Sequence, residues 1–351
     1  MNKLTKFGCS ALCGSLAAIS AANAGDMTVT GGVDMTWTSL EDGTTGNPLG
    51  IGSNLTFKGS GELDNGWTFD LTVANLNASA YSAANVNLTM GGLGQLNLNQ
   101  GNSGNGVHAY DDKMPTAWEE SWGNSLSTGV ILANGAGSST NISYTTPKLI
   151  GTTLELVYAP AMGASDTADK TTDVGSNSKD RGYDAVININ PSLGTEILAG
   201  LNIFAGAHYA ESTDGNATLG QDSGSGVAGI TLDIGPISLG YGVSGLVTGY
   251  KDTAGHAAGT TEYYKNHMYG VAFNVNDDLS LSYSYYDTRK EGQSGNAQQG
   301  EALRYIEVES MQIAYSVGGA SIRLAETKGT NLNFRSKYSP NATVLSVGLA
   351  F

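Results

Sequence analysis

Apolar and polar residues alternate with a period of two from Met27 to the end of the chain, and the short segments that do so are joined by connections that are alternately tight and long. In MTVTGGVDMTWT, Val29, Val33, Met35 and Trp37 share one parity while Thr30, Asp34, Thr36 and Thr38 share the other. GWTFDLTVAN sets Trp67, Phe69, Leu71 and Val73 against Thr68, Asp70 and Thr72, and SLSYSYYD sets Leu279, Leu281, Tyr283 and Tyr285 against Ser280, Ser282 and Ser284. Successive side chains of a strand point to opposite faces, so each segment is a strand with one apolar and one polar face.

Followed to the end, the pattern predicts sixteen strands, at residues 27–38, 50–60, 66–76, 83–90, 94–100, 138–146, 150–159, 182–190, 195–210, 226–234, 236–249, 267–275, 278–287, 305–317, 319–328 and 341–351. For the sixth place STGVILANG, from Ser127, competes. Tight connections contain Asp64-Asn65-Gly66, Gly91-Gly92, Pro147-Lys148, Asn190-Pro191, Gly235-Pro236, Asp277-Asp278 and Gly318-Gly319, which are turn chemistries that join antiparallel neighbours. The intervening connections are mostly long and polar, such as TRKEGQSGNAQQG from Thr288.

Tight turns at one end, long loops at the other and an even strand count describe a sheet that closes on itself in a membrane. Closure removes the unpaired edges that a bilayer cannot satisfy. At about ten residues each, sixteen strands take up about 160 residues, which leaves a similar number for the connections and none for a second domain. The expectation is an all-β fold, a 16-stranded antiparallel transmembrane β-barrel spanning residues 25–351. A water-soluble sandwich or solenoid would also alternate, but a solenoid needs a short fixed repeat and none is found. Trp37, Tyr144, Tyr158, Tyr241, Tyr283 and Tyr315 fall near strand ends or on apolar parities, as interfacial girdles do.

The N-terminus reads MNKLTKFGCSALCGSLAAISAANAGD, with Lys3 and Lys6, an apolar run from Phe7 to Ala22 and a small-residue Ala22-Asn23-Ala24 pattern. Residues 1–24 are therefore expected to be a cleaved secretory signal peptide. Both cysteines, Cys9 and Cys13, lie in that segment, so no disulfide scaffold or thiolate metal site is expected beyond it. Ser10-Ala11-Leu12 fits a lipid-acceptor signal before Cys13 poorly.

The chain carries 17 basic and 32 acidic residues, a net charge of −15, and loss of Lys3 and Lys6 makes it two units more negative. Such a balance repels nucleic acid. Charged residues are only 14% of the chain, whereas glycines number 49 and tyrosines 17. The most apolar window, ILAGLNIFAGAHYA from Ile197, is broken by Asn202 and His208, so no transmembrane helix is expected.

The last segment, NATVLSVGLAF, places Thr343, Leu345, Val347, Leu349 and Phe351 on one face. With the opening GDMTVTGGVDMTW and the sixteen-strand layout, it resembles the Gram-negative general porins, and among them the alphaproteobacterial type. The resemblance implies an outer-membrane homotrimer with one pore per subunit, set among lipid and lipopolysaccharide. It also implies that the barrel-insertion machinery reads Phe351 as its signal, and that no cofactor is needed. Ions and small hydrophilic solutes would cross by passive diffusion. A non-conducting barrel with adhesive or structural loops and a substrate-selective channel are the competing readings.

Porins of this kind fold the third long loop into the barrel. Here the connection after strand five is the longest and contains HAYDDKMPTAWEESWGNS. By resemblance, Asp111, Asp112, Glu119 and Glu120 become the acidic side of a constriction; otherwise the loop is an acidic extracellular segment. Parity supplies the wall. Lys58 and Arg323 point inward as bases, and Asp34, Asp70, Glu155, Asp184 and Asp233 point inward as acids. A base on the lipid side would cost about 2–4 kcal/mol at mid-membrane. The acid excess predicts a weak cation preference.

Other motifs lead elsewhere. Gly224, Gly226 and Gly229 match a dinucleotide fingerprint, but a strand follows where a helix is required. His108, His208, His256 and His267 lack metal-ligand spacing, and no nucleophile elbow is present, so neither a metal nor enzyme activity is expected. Asp166, Asp169, Asp173 and Asp180 could offer oxygens to calcium, yet they lack the order of a helix-loop-helix calcium site.

Overall fold

The structure, a computed structural model, describes residues 24–42, 46–77, 79–100, 104–162, 179–191, 199–212, 221–249, 261–292 and 305–350. Sixteen strands form one closed antiparallel barrel in which each pairs with its sequence neighbours and the first pairs with the last. They are β1 (Ala24–Glu41), β2 (Leu49–Glu62), β3 (Thr68–Leu76), β4 (Ser79–Thr89), β5 (Gln95–Gln100), β6 (Thr140–Thr145), β7 (Thr152–Ala159) and β8 (Lys179–Ile189). The second half comprises β9 (Leu201–Ser212), β10 (Ser223–Ile234), β11 (Ile237–Val247), β12 (Thr261–Asn274), β13 (Leu279–Gly292), β14 (Tyr305–Val317), β15 (Ala320–Thr330) and β16 (Asn341–Ala350). Closure is made by β1 and β16, with Val33 opposite Leu349, Met35 opposite Val347 and Trp37 opposite Leu345.

The period-two pattern is realised inside out. Met35, Ile51, Leu239, Val271, Leu281 and Leu345 are exposed on the outer face, whereas Ser143, Ser284, Ser310, Thr327 and Ser346 are buried on the inner one. That inversion suits a hydrocarbon exterior and a wet interior. Tight turns close one end of the barrel. Ile234 passes to Ile237 through Gly235 alone with Pro236, and Gly235 has φ of 55°, a left-handed conformation that glycine adopts without strain.

Two expected boundaries differ in an instructive way. The strand expected at 267–275 begins at Thr261, and the one expected at 278–287 runs on to Gly292. Both extensions lie at the long-loop end, where Lys265 pairs with Arg289 and Asn266 with Thr288. Hydrogen bonding continues there beyond the apolar band, so the ladder persists after the apolar signal has ended. Strand six is Thr140–Thr145, and the competing segment from Ser127 forms no strand. Phe351 and most of the expected signal peptide, residues 1–23, lie outside the described residues, as do Asp166, Asp169 and Asp173.

Buried apolar side chains are concentrated within the barrel. Val107, Met114 and Ala133 of the connection between β5 and β6 pack on Val186, Phe204, Val227, Met268 and Tyr286 of β8, β9, β10, β12 and β13. A second cluster joins Leu126 of the same connection to Ile306, Val308, Leu332 and Ala342. The third loop therefore lies inside the barrel, packed against the inner wall from β8 round to β16.

Candidate functional site

The inner loop is fixed by hydrogen bonds to inward-facing side chains along its whole course. At its start the Asn105 Nδ2 donates to Asn97 Oδ1 and to Asn141 Oδ1, each at 2.8 Å. The backbone amide of Gly106 donates to Glu155 Oε2 at 3.1 Å, and that of Val107 to Asp184 Oδ2 at 2.8 Å. At the returning end the Ala136 amide donates to Asp184 Oδ1 at 3.0 Å, so one carboxylate clamps both legs.

The middle of the loop crosses to the far strands. Ala117 N donates to Ser282 Oγ at 2.8 Å, while Trp118 N and Glu119 N donate to Gln312 Oε1 at 3.0 and 3.1 Å. Asn124 Nδ2 then donates to Ser310 Oγ at 3.2 Å, and Asn266 Nδ2 donates to the Ile131 carbonyl at 2.8 Å. Between these anchors Met114 and Pro115 lie across glycines. A Cβ built on Gly270 would stand 2.7 Å from the Pro115 carbonyl oxygen, and one on Gly242 would stand 3.1 Å from Met114 Cε.

This path carries the expected acidic groups into the lumen. Asp112 is exposed with Lys113 Nζ at 3.5 Å, and Asp111 is half-buried with His108 Nδ1 at 3.4 Å. The Asp111 carboxylate beside it raises His108 above the usual histidine range. Glu119 and Glu120 are half-buried and adjacent on the loop. Burial, with Glu119 beside it, pushes the Glu120 carboxyl up to about 8.

The expected wall residues divide into two groups. Arg323 is inward on β15, with its guanidinium 5.2 Å from the Trp118 ring centroid and ion-paired to Asp34 of β1. Lys58 is exposed on β2 opposite Thr28 and Thr72, and Asp70 is exposed on β3 opposite Ser60 and Asn87. Asp233 is exposed opposite Ser238, near the tight-turn end.

Asp184 and Glu155 depart from the expectation of open pore-wall acids. Asp184 is only 4% exposed and has His208 Nδ1 at 2.6 Å in addition to the loop amides. Glu155 accepts from Gly106 and is half-buried. The loop covers both because a backbone with unpaired amides entering a wet lumen needs fixed acceptors, and carboxylates are the strongest ones available.

The loop's apolar seat was not anticipated. Val186, Phe204, Val227, Met268 and Tyr286 are inward by parity and break the polar run of that face. Their conflict with the alternation, together with inward glycines at 206, 240, 242 and 270, is the sequence signal that marks where a loop docks.

No curated protein sequence matches the chain. Solved structures of similar fold include a porin, with a TM-score of 0.64 at 13% identity over 93% of this chain and 100% of that one. An anion-selective porin from Comamonas acidovorans gives 0.61 at 15% identity over 93% and 99%. Salmonella typhi OmpF in complex with daunomycin gives 0.65 at 12% identity over 93% and 98%. The sequence profile of the Gram-negative porins matches residues 8–305. A closed sixteen-strand barrel with a loop folded across its lumen, and that profile match over most of its length, establish that the chain belongs to the Gram-negative porin family, the channels of the bacterial outer membrane.

Proposed function

We propose that this porin passes ions and small hydrophilic solutes by passive diffusion, with a weak preference for cations. The observation that carries the reading is the placement of Glu119 and Glu120 on a loop inside the lumen, where Lys113 already offsets Asp112. A sixteen-strand barrel is wide enough for an aqueous channel, and Ser, Thr and Asn on the inner face keep it wet.

The sign of selectivity follows from which charges remain uncompensated. Asp34 offsets Arg323, which leaves Lys58 as the exposed inward base among those identified. Against it stand Asp70, Asp233 and the Glu119–Glu120 pair, since Lys113 offsets Asp112. Fixed charges lining a narrow wet passage raise the local concentration of counter-ions. The fold alone does not set this sign, because a barrel of the same architecture serves an anion-selective porin.

Reconstitution in a planar bilayer with a potassium chloride gradient tests the reading. A reversal potential of cationic sign supports it, and one of anionic sign overturns it. The subunits are proposed to assemble as a homotrimer, which conductance closing in three equal steps supports and closure in one step overturns. Contact with lipopolysaccharide, and reading of Phe351 by the insertion machinery, belong to the same proposal.

A further inference from the structure

A cavity of about 340 Å³ opens on the inner wall where the start of the loop meets β4–β8, and its lining is almost wholly uncharged. Asn85, Asn87, Gln95, Asn97 and Asn99 project from β4 and β5, and Asn105 of the loop closes one side. Asn87, Asn97 and Asn105 are tied to one another. Asn97 donates to Asn87, and Asn105 donates to Asn97 and to Asn141. Mutual bonding holds these groups in fixed orientations before any solute arrives.

The chemistry of the lining selects a class of solute. Each carboxamide offers donors and an acceptor side by side, which is the pattern a vicinal pair of hydroxyls presents in reverse. Thr145 and Thr153 add hydroxyls to the rim. Glu155 is the carboxylate among the lining residues, and it is already engaged by the Gly106 amide. An ion would find little fixed charge here, whereas the acids of the loop and of β1, β3 and β10 lie elsewhere on the lumen. The volume lies at the small end of the range of about 300–1,000 Å³ typical of ligand pockets, which suits one sugar ring.

We infer that this amide-lined cavity is a weak, saturable subsite for neutral polyhydroxylated solutes, with a single hexose ring as its unit. The inference rests on the pore reading and gives that pore a solute class. Binding is transient because each hydrogen bond replaces one made to water and contributes little net. A weak site of this kind raises the occupancy of the passage by sugar without trapping it.

The test is open-channel current noise of the reconstituted full-length mature porin in potassium chloride, with D-glucose as the probe and a polyethylene glycol of equal hydrodynamic size as the control. Glucose is expected to add excess noise that saturates with concentration, while the polymer lowers conductance without a saturable component. In Asn85→Leu/Gln95→Leu the apparent glucose affinity is expected to fall roughly tenfold, since two hydrogen-bonding partners are lost, with sugar-free conductance close to that of the parent. Asn85→Ala/Gln95→Ala, a smaller change, is expected to give the same loss and serves if leucine impairs folding. Conductance with no saturable glucose noise, or noise unchanged in both variants, overturns the subsite alone. A folded, inserted barrel with no conductance overturns the pore reading and the subsite with it.

Discussion

The Asp184 carboxylate lies 2.6 Å from the His208 ring nitrogen Nδ1, both side chains buried beneath the inner loop whose two legs the same carboxylate holds. Replacing Asp184 by Ala leaves the Val107 and Ala136 amides and His208 without their acceptor. Leaving a buried hydrogen-bonding group unsatisfied costs about 1–3 kcal/mol, and here that cost falls on loop docking. Single-channel recording of Asp184→Ala is expected to show larger, noisier conductance than the parent, and unchanged steps would refute the clamp.

Gly270→Ala places a methyl group 2.7 Å from the Pro115 carbonyl. Overpacking of this kind costs about 1–3 kcal/mol, and Pro115 must move into the lumen to relieve it. Conductance is expected to change while barrel stability in urea changes little, because the strain lies between loop and wall.

The Glu119–Glu120 pair predicts a pH dependence. Glu120 is protonated below about 8 and gains its charge as pH rises through that value. Cation preference, read as reversal potential, should therefore increase between pH 6 and pH 9. Glu120→Gln is expected to abolish the increase while leaving the selectivity at pH 6 close to that of the parent. A pH-independent parent would contradict the raised Glu120 carboxyl.

Arg323→Gln removes the partner of Asp34. One uncompensated carboxylate then faces the lumen, and the reversal potential is expected to shift toward stronger cation preference at low salt. The shift should shrink as ionic strength rises, because the Debye length falls to about 3 Å at 1 M.

Leu324 is on the outer face of β15, opposite Leu345 of β16. Arginine there should destabilise the barrel by about 2–4 kcal/mol if the position is near the bilayer midplane, whereas Arg323 one residue earlier is accommodated within. Urea unfolding of vesicle-embedded Leu324→Arg measures this, and equal stability would contradict the assigned facing.

The outward set Met35, Leu239, Val271, Leu281 and Leu345 and the inward set Asp34, Lys58, Asp70 and Arg323 follow from parity alone. A strand allows only two directions for a side chain, and a hydrocarbon exterior accepts only one kind. Strand ends such as Thr261–Asn266 escaped the same reasoning, since a ladder in water needs no apolar residue to persist. The inner loop left a fainter trace in Phe204, Met268 and Tyr286, apolar residues on a polar parity, and in the glycines under Met114 and Pro115.

What the sequence by itself determined was therefore the closed barrel and the face on which each strand residue lies, because both follow from local periodicity and from the bilayer's demand that every backbone group be paired. Only the tertiary structure decided which inward residues meet water. Asp184 and Asp34 are both inward acids, yet one is covered by loop amides and the other is paired with Arg323 in the open lumen. That division depends on the course of a loop that joins residues remote in the chain, and such contacts leave no period in the sequence.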